Sequence, residues 1–249
     1  MVSMIERKPL VLIGISVVCI AILLWQEAIP QDQSYFVFAD ARTWFGIQNA
    51  WNVLSNLGFL VAAILAVPLF MRFKPALELR LYVRVFICGV FVTGFGSAWF
   101  HWAPNNASLV WDRLPMTIAF SSFIVCVLHD YVTNKARIWF WPAMAFSVAS
   151  VLFWYWTETL GRGDLRPYVL VQFLPLLLLP AIMLMYQPKN THRIPIVIAF
   201  VFYILAKITE HYDGQIYELT QHFVSGHSLK HLLAAVASFY ILKACLREA

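Results

Sequence analysis

Apolar runs of membrane-spanning length recur along this chain, separated by short polar stretches. Crossing the ~30 Å hydrocarbon core takes about 20 apolar residues in a helix. Eight windows meet that requirement: 10–29, 51–71, 81–102, 110–132, 138–157, 167–186, 194–211 and 227–244. The connections are short, with no low-complexity segment and no repeat of fixed period. The pattern predicts an all-α integral membrane protein of eight helices in one compact bundle. The first window follows a basic start, and its run from Leu10 to Trp25 also fits a signal peptide. Residues Gln26-Glu27-Ala28-Ile29-Pro30 offer no small-x-small cleavage site, so the helix is expected to be retained.

Composition sharpens this picture. The 249 residues are 61% hydrophobic and 12% charged, against roughly 25% charged in a soluble domain. The formal net charge of +5 would suggest nucleic acid in a soluble protein. Here the cations sit at helix ends, and no basic patch interleaves with exposed aromatics, so no nucleic-acid partner is expected. With the N-terminus inside, the inner segments hold Arg7, Lys8, Arg72, Lys74, Arg80, Lys135, Arg137, Lys189, Arg193, Lys243 and Arg247. The outer loops hold only Arg42, Arg162 and Arg166, with Arg113 and Lys230 at helix starts. That bias predicts both termini in the cytoplasm. The few extramembrane residues point to a bacterial inner membrane. Cys19, Cys88, Cys126 and Cys245 lie in or beside apolar runs without CxxC spacing, as small packing residues do.

Ionisable residues within membrane segments are costly, so each is a functional-site hypothesis. Under this topology Ser97 and His101, Asp112, and His227 and His231 all reach the outer face from three separate segments. His227 and His231 are four apart, which sets two imidazoles on one helix face. With His101 they make a three-histidine set, the pattern of catalytic zinc with its fourth position left for water. Asp112 can serve as general base or orient a ligand, and Ser97 can contact the water or a developing oxyanion. Each residue also has a plainer reading. Asp112, before Arg113-Leu114-Pro115, reads as a helix N-cap. Ser97, in Gly94-Phe95-Gly96-Ser97, reads as a small-residue packing contact. Glu210 and Asp213 lie where the seventh window leaves the membrane, and are candidates to support the ligands or hold the loop 212–226. Lys207 can pair with either. His222 competes only by displacing a preferred histidine. His129 and Asp130 read as interfacial on the opposite face. The tryptophans, Trp44, Trp51, Trp99, Trp102, Trp111, Trp154 and Trp156 among them, read as belt residues.

At this point the motifs resemble a known family. Ser97-x-x-x-His101, Asp112 followed by Arg113-Leu114-Pro115-Met116, and a distant His227-x-x-x-His231 look like the alkaline ceramidase family of the CREST superfamily of membrane hydrolases. Trp51-Asn52-Val53-Leu54-Ser55-Asn56 resembles the family's Trp-Asn-x-x-Ser-Asn motif, and the similarity covers roughly 45–245. The resemblance implies a seven-helix core over about 50–244 preceded by one extra N-terminal transmembrane helix, with 1–30 carrying the extra helix and 31–249 the seven-helix unit. It also implies one catalytic zinc on His101, His227 and His231, with Ser97 and Asp112 acting on its water. It implies hydrolysis of the amide bond of ceramide-like lipids to a fatty acid and a sphingoid base, with a membrane lipid as substrate and no protein partner. Some relatives carry an acidic calcium-binding stretch before the first core helix. Here that region offers only Asp32, Asp40 and Asn49, which weakens the case for calcium. Alternatives are hydrolysis of another acylated lipid, amide or ester, and a zinc-containing lipid receptor. The short segment before the first window disfavours the receptor.

Overall fold

Hydrocarbon offers no water to backbone N–H and C=O groups, so each apolar run must close its own hydrogen bonds as a helix. The computed structural model, which describes residues 4–246, follows that rule. Its helices are α1 (Met4–Trp25), α2 (Ala50–Ser55), α3 (Leu57–Phe73), α4 (Arg80–Trp102) and α5 (Asn106–Val127). They continue with α6 (Phe140–Thr159), α7 (Arg166–Met185), α8 (Arg193–His211), α9 (Asp213–Leu219) and α10 (Gly226–Cys245). Among the described residues there is no strand, and eight spans are long and apolar enough to cross a membrane, α2 and α3 forming one of them together. This fits an all-α, multi-pass membrane protein. Arg247, counted above among the inner cations, lies outside the described residues.

Two boundaries differ from the hydropathy windows for local reasons. The helix α1 stops at Trp25 rather than 29, because the next residues bond to the start of α7: Arg166 Nη1 donates to Gln26 O at 2.7 Å and Leu165 N to Ile29 O at 2.8 Å. The helix α5 begins at Asn106 rather than 110, because Asn105 and Ser108 form a capping box. Asp112 is therefore buried within the helix and is not its N-cap.

The helices α4 and α5 pack along each other, as do α8 and α10, and α3 lies against α4 and α10. The helix α1 packs on α7, where Lys8 Nζ donates to Met185 O at 2.6 Å. The segment 26–49 is largely extended, broken by a 3-10 turn at Gln33–Phe36, and crosses the end of the bundle where α4 ends and α10 begins. There Phe38, Phe100, Leu109, Trp154 and Tyr168 form their own apolar cluster. Trp154 is fully buried in it, so it is a core residue rather than part of a belt. At the other end, His129 and Asp130 are buried rather than interfacial. The Asp130 carboxylate accepts from the backbone N–H groups and side chains of Asn190 and Thr191, tying the α7–α8 connection to α5.

Candidate metal centre

Three histidines meet at one end of the bundle. His101 stands in the last turn of α4, and His227 and His231 in the first two turns of α10. Their metal-capable atoms all lie within 4.8 Å of one another, and all three side chains are buried. Ring centroids are 4.7 Å apart for His101–His231, 4.8 Å for His101–His227 and 5.0 Å for His227–His231. Among the described residues this is the one group of three or more His, Cys, Asp or Glu side chains so arranged.

Two glycines allow the helices to deliver these groups. A Cβ on Gly96 would sit 2.0 Å from the carbonyl oxygen of Trp111, so α4 and α5 touch backbone to backbone there. The next residues along, Ser97 and Asp112, are thereby brought side by side, close enough for the hydroxyl and the carboxylate to interact. Gly96 thus makes the close contact, and Ser97 keeps its hydroxyl for Asp112. A Cβ on Gly226 would sit 2.1 Å from Thr209 O, so the start of α10 presses onto the α8–α9 junction. Ser225 caps α10 by accepting from Ser228 N at 3.1 Å. Asp213 accepts from His227 N at 2.7 Å through one oxygen and from Ala39 N at 3.0 Å through the other. That second bond seats Phe38 edge-on over His101 and His227, with centroids 4.7 and 4.9 Å away.

The hydrogen bonds around the triad fix the state of one ring. Ser55 Oγ donates its proton to Asn52 O at 3.1 Å and lies 2.7 Å from His231 Nδ1. A hydroxyl has one proton, so when it is given to Asn52 O the donor in the second bond is Nδ1. The lone pair of His231 then sits on Nε2, which is buried without a hydrogen-bond partner, as is His101 Nδ1. Buried polar atoms are seldom left unpaired, because each costs about 1–3 kcal/mol. A cation bound by nitrogen ligands would satisfy both, and an all-imidazole set suits zinc. The third ring, His227, turns Nε2 toward Lys230 Nζ at 3.0 Å. Lys230 Nζ also lies 2.9 Å from Glu210 Oε1, so it keeps a partner when a metal takes the His227 lone pair.

Each expected site residue can now be located. His101, His227 and His231 come together, and Ser97 and Asp112 line the same cavity as His231. Glu210 acts one step removed, through Lys230, and also pairs with Lys207 at 2.5 Å. Asp213 holds backbone rather than a ring. His222 is exposed and bonded to Glu218, away from the triad. Of the residues considered for calcium, Asp40 is buried under the Arg42 guanidinium, with contacts of 2.8 and 2.6 Å. Asp32 caps the turn at Ser34, and Asn49 donates to His101 O at 2.8 Å. Sequence reasoning gave no site role to Ser55, Asn52, Lys230 or Phe38. The first three are polar residues inside apolar windows, and the cost of burying them was the available signal.

A cavity of about 270 Å³ adjoins the triad. Ser97, Asp112, Arg113, Lys207, Glu210, Lys230 and His231 line its polar part, and Phe86, Phe120, Leu179, Ile196 and Ile241 its apolar part. Phe86 lies 11 residues before Ser97 on α4, and Ile241 10 residues after His231 on α10, so the wall runs about 15 Å along the bundle. Burial raises the Tyr35 phenol above its ordinary value, so it stays protonated beside this cavity. Known protein-family models and curated protein sequences give no match to this chain.

Proposed function

We propose that this protein is a zinc-dependent membrane hydrolase that cleaves the amide bond of ceramide-like lipids to a fatty acid and a sphingoid base. One observation carries the reading: a buried histidine triad with unpartnered ring nitrogens borders a mostly apolar cavity, with a paired serine and aspartate between them. His101, His227 and His231 would hold the ion. Zinc held there supplies Lewis acidity, polarising a carbonyl and lowering the pKa of water toward ~7.

The chain's own residues supply the rest. Asp112 takes the proton of the attacking water and passes it to the departing nitrogen. Ser97 holds the Asp112 carboxylate in position for that transfer. Ser55 keeps His231 in the tautomer that offers Nε2. The apolar wall houses an acyl chain and excludes bulk water, as small-molecule sites of this kind do. Nothing in that wall distinguishes an amide from an ester, so esters of acylated lipids belong in any substrate panel. The Lys and Arg distribution supports cytoplasmic termini with the histidines near the outer face, and the few extramembrane residues support a bacterial inner membrane.

The test is metal content and fatty-acid release from the detergent-purified protein, with ceramides and acyl esters as substrates. The wild type is expected to carry about one zinc per chain. The double variant His227→Ala/His231→Ala is expected to lose metal and activity together. Asp112→Asn is expected to keep its metal while turnover falls roughly 10²–10⁴-fold. A wild type without metal, or a fully active double variant, would overturn the reading.

A further inference from the structure

Arg113 is buried at 6% exposure and lines the cavity next to Asp112. Its guanidinium lies over the ring of Trp154 at 4.2 Å and of Tyr168 at 4.6 Å. Nη2 donates to the neutral Gln31 Oε1 at 2.6 Å, while Nη1 is buried with no hydrogen-bond partner. Among the described residues no carboxylate forms an ion pair with it. Asp112 is close enough to interact with its charge but forms no ion pair with it. A guanidinium always carries its charge, and a buried charge without a partner is expensive. The aromatic faces offset part of that cost. They also hold the fork rigid, with one nitrogen free.

The charge of the whole cavity leans the same way. Arg113, Lys207 and Lys230 line it against Asp112 and Glu210. The two lysines share the one Glu210 carboxylate. One positive charge is therefore left over at the polar end of an otherwise apolar chamber, before any metal adds to it.

We propose that Arg113 anchors an anionic group, a phosphate, sulfonate or carboxylate, carried on an alkyl chain that lies along the apolar wall. The planar fork suits such an oxyanion. The inference rests on the hydrolase reading only for its meaning. If the anion is a headgroup, the substrate is an anionic acyl lipid. If it is a carboxylate, Arg113 holds the fatty-acid product.

Binding separates the possibilities without any turnover. The probes are tetradecyl phosphate, tetradecanoate and tetradecanol, titrated into the full chain as purified, at fixed detergent concentration. None of the three is a substrate, so failure of the hydrolase reading leaves the result interpretable. At least one anion is expected to bind roughly tenfold tighter than the alcohol. Preference for the phosphate identifies a headgroup site, and preference for the carboxylate a product site. Arg113→Gln, with zinc content unchanged, is expected to bring the anion within a few-fold of the alcohol. An equal affinity for all three in the wild type overturns the proposal, as does an undiminished anion preference in Arg113→Gln. A second measurement needs no variant. Tetradecyl phosphate with a photoreactive group beside its phosphate is expected to label Trp154 or Tyr168, and labelling confined to other segments also overturns it.

Discussion

The proton on Ser55 decides more than its size suggests. With that proton given to Asn52 O, His231 donates through Nδ1 and keeps Nε2 bare. Ser55→Ala removes the partner and lets the ring rotate and change tautomer. Metal affinity is expected to fall roughly 10–100-fold, as it does when a metal-bound histidine loses its outer hydrogen bond. Chelator competition with the purified variant measures this, and an unchanged affinity would show that packing alone orients the ring. The histidine cluster itself was legible from sequence, since three histidines in apolar runs stand out by their cost. The role of Ser55 was not, although the motif containing it was noticed, because its partner lies 176 positions away. Trp154 was misread for a similar reason. Hydropathy locates a tryptophan along a helix but not the side it faces, and this one faces Arg113 rather than the helix exterior.

Among the elements, the α4–α5 pair depends most on a single atom's absence. Gly96 lets the two backbones touch, and that contact sets the distance between Ser97 and Asp112. Gly96→Ala forces the helices apart. The expected cost is about 1–3 kcal/mol, typical of overpacking. Turnover is expected to fall further than stability does, since Asp112 moves away from Ser97 while the triad on α4 and α10 stays together. Thermal unfolding and metal content measured beside activity check this, and parallel losses in all three would mean simple misfolding. Long apolar windows made the eight spans legible, because in hydrocarbon a run of that length has no alternative to a helix. The end of α1 and the start of α5 were shifted by side-chain caps and by bonds to distant segments, neither of which hydropathy registers. The short helix α9 and the extended segment 26–49 were invisible for the same reason, being held by polar contacts to the bundle end.

Over the whole molecule, the polar chemistry gathers at one end and the basic connections at the other. Arg72, Lys74, Arg80, Lys135, Arg137 and Lys189 all fall in or beside the turns remote from the histidines. Lys8 meets the end of α7 on that side too. The positive-inside bias predicts that this end faces the cytoplasm. An accessibility tag after residue 249 is therefore expected to be protected in intact cells and exposed only after permeabilisation. Labelling from outside would invert the protein and the position of its site. The Asp213 carboxylate, bonded to both Ala39 and His227, has a consequence for time rather than for structure. It ties the segment over the triad to the helix that carries two of the ligands, with Phe38 between. Neither can lift away unless one of these two hydrogen bonds to Asp213 breaks, so an ion held beneath should escape slowly even where its equilibrium affinity is modest. Stripping by excess chelator is expected to follow a slow first-order course whose rate does not depend on chelator concentration. Asp213→Asn should shorten it severalfold with little change in the amount of metal bound at the start. A rate that climbs with chelator in the wild type would mean that the reagent reaches the ion directly, and that the segment is no barrier.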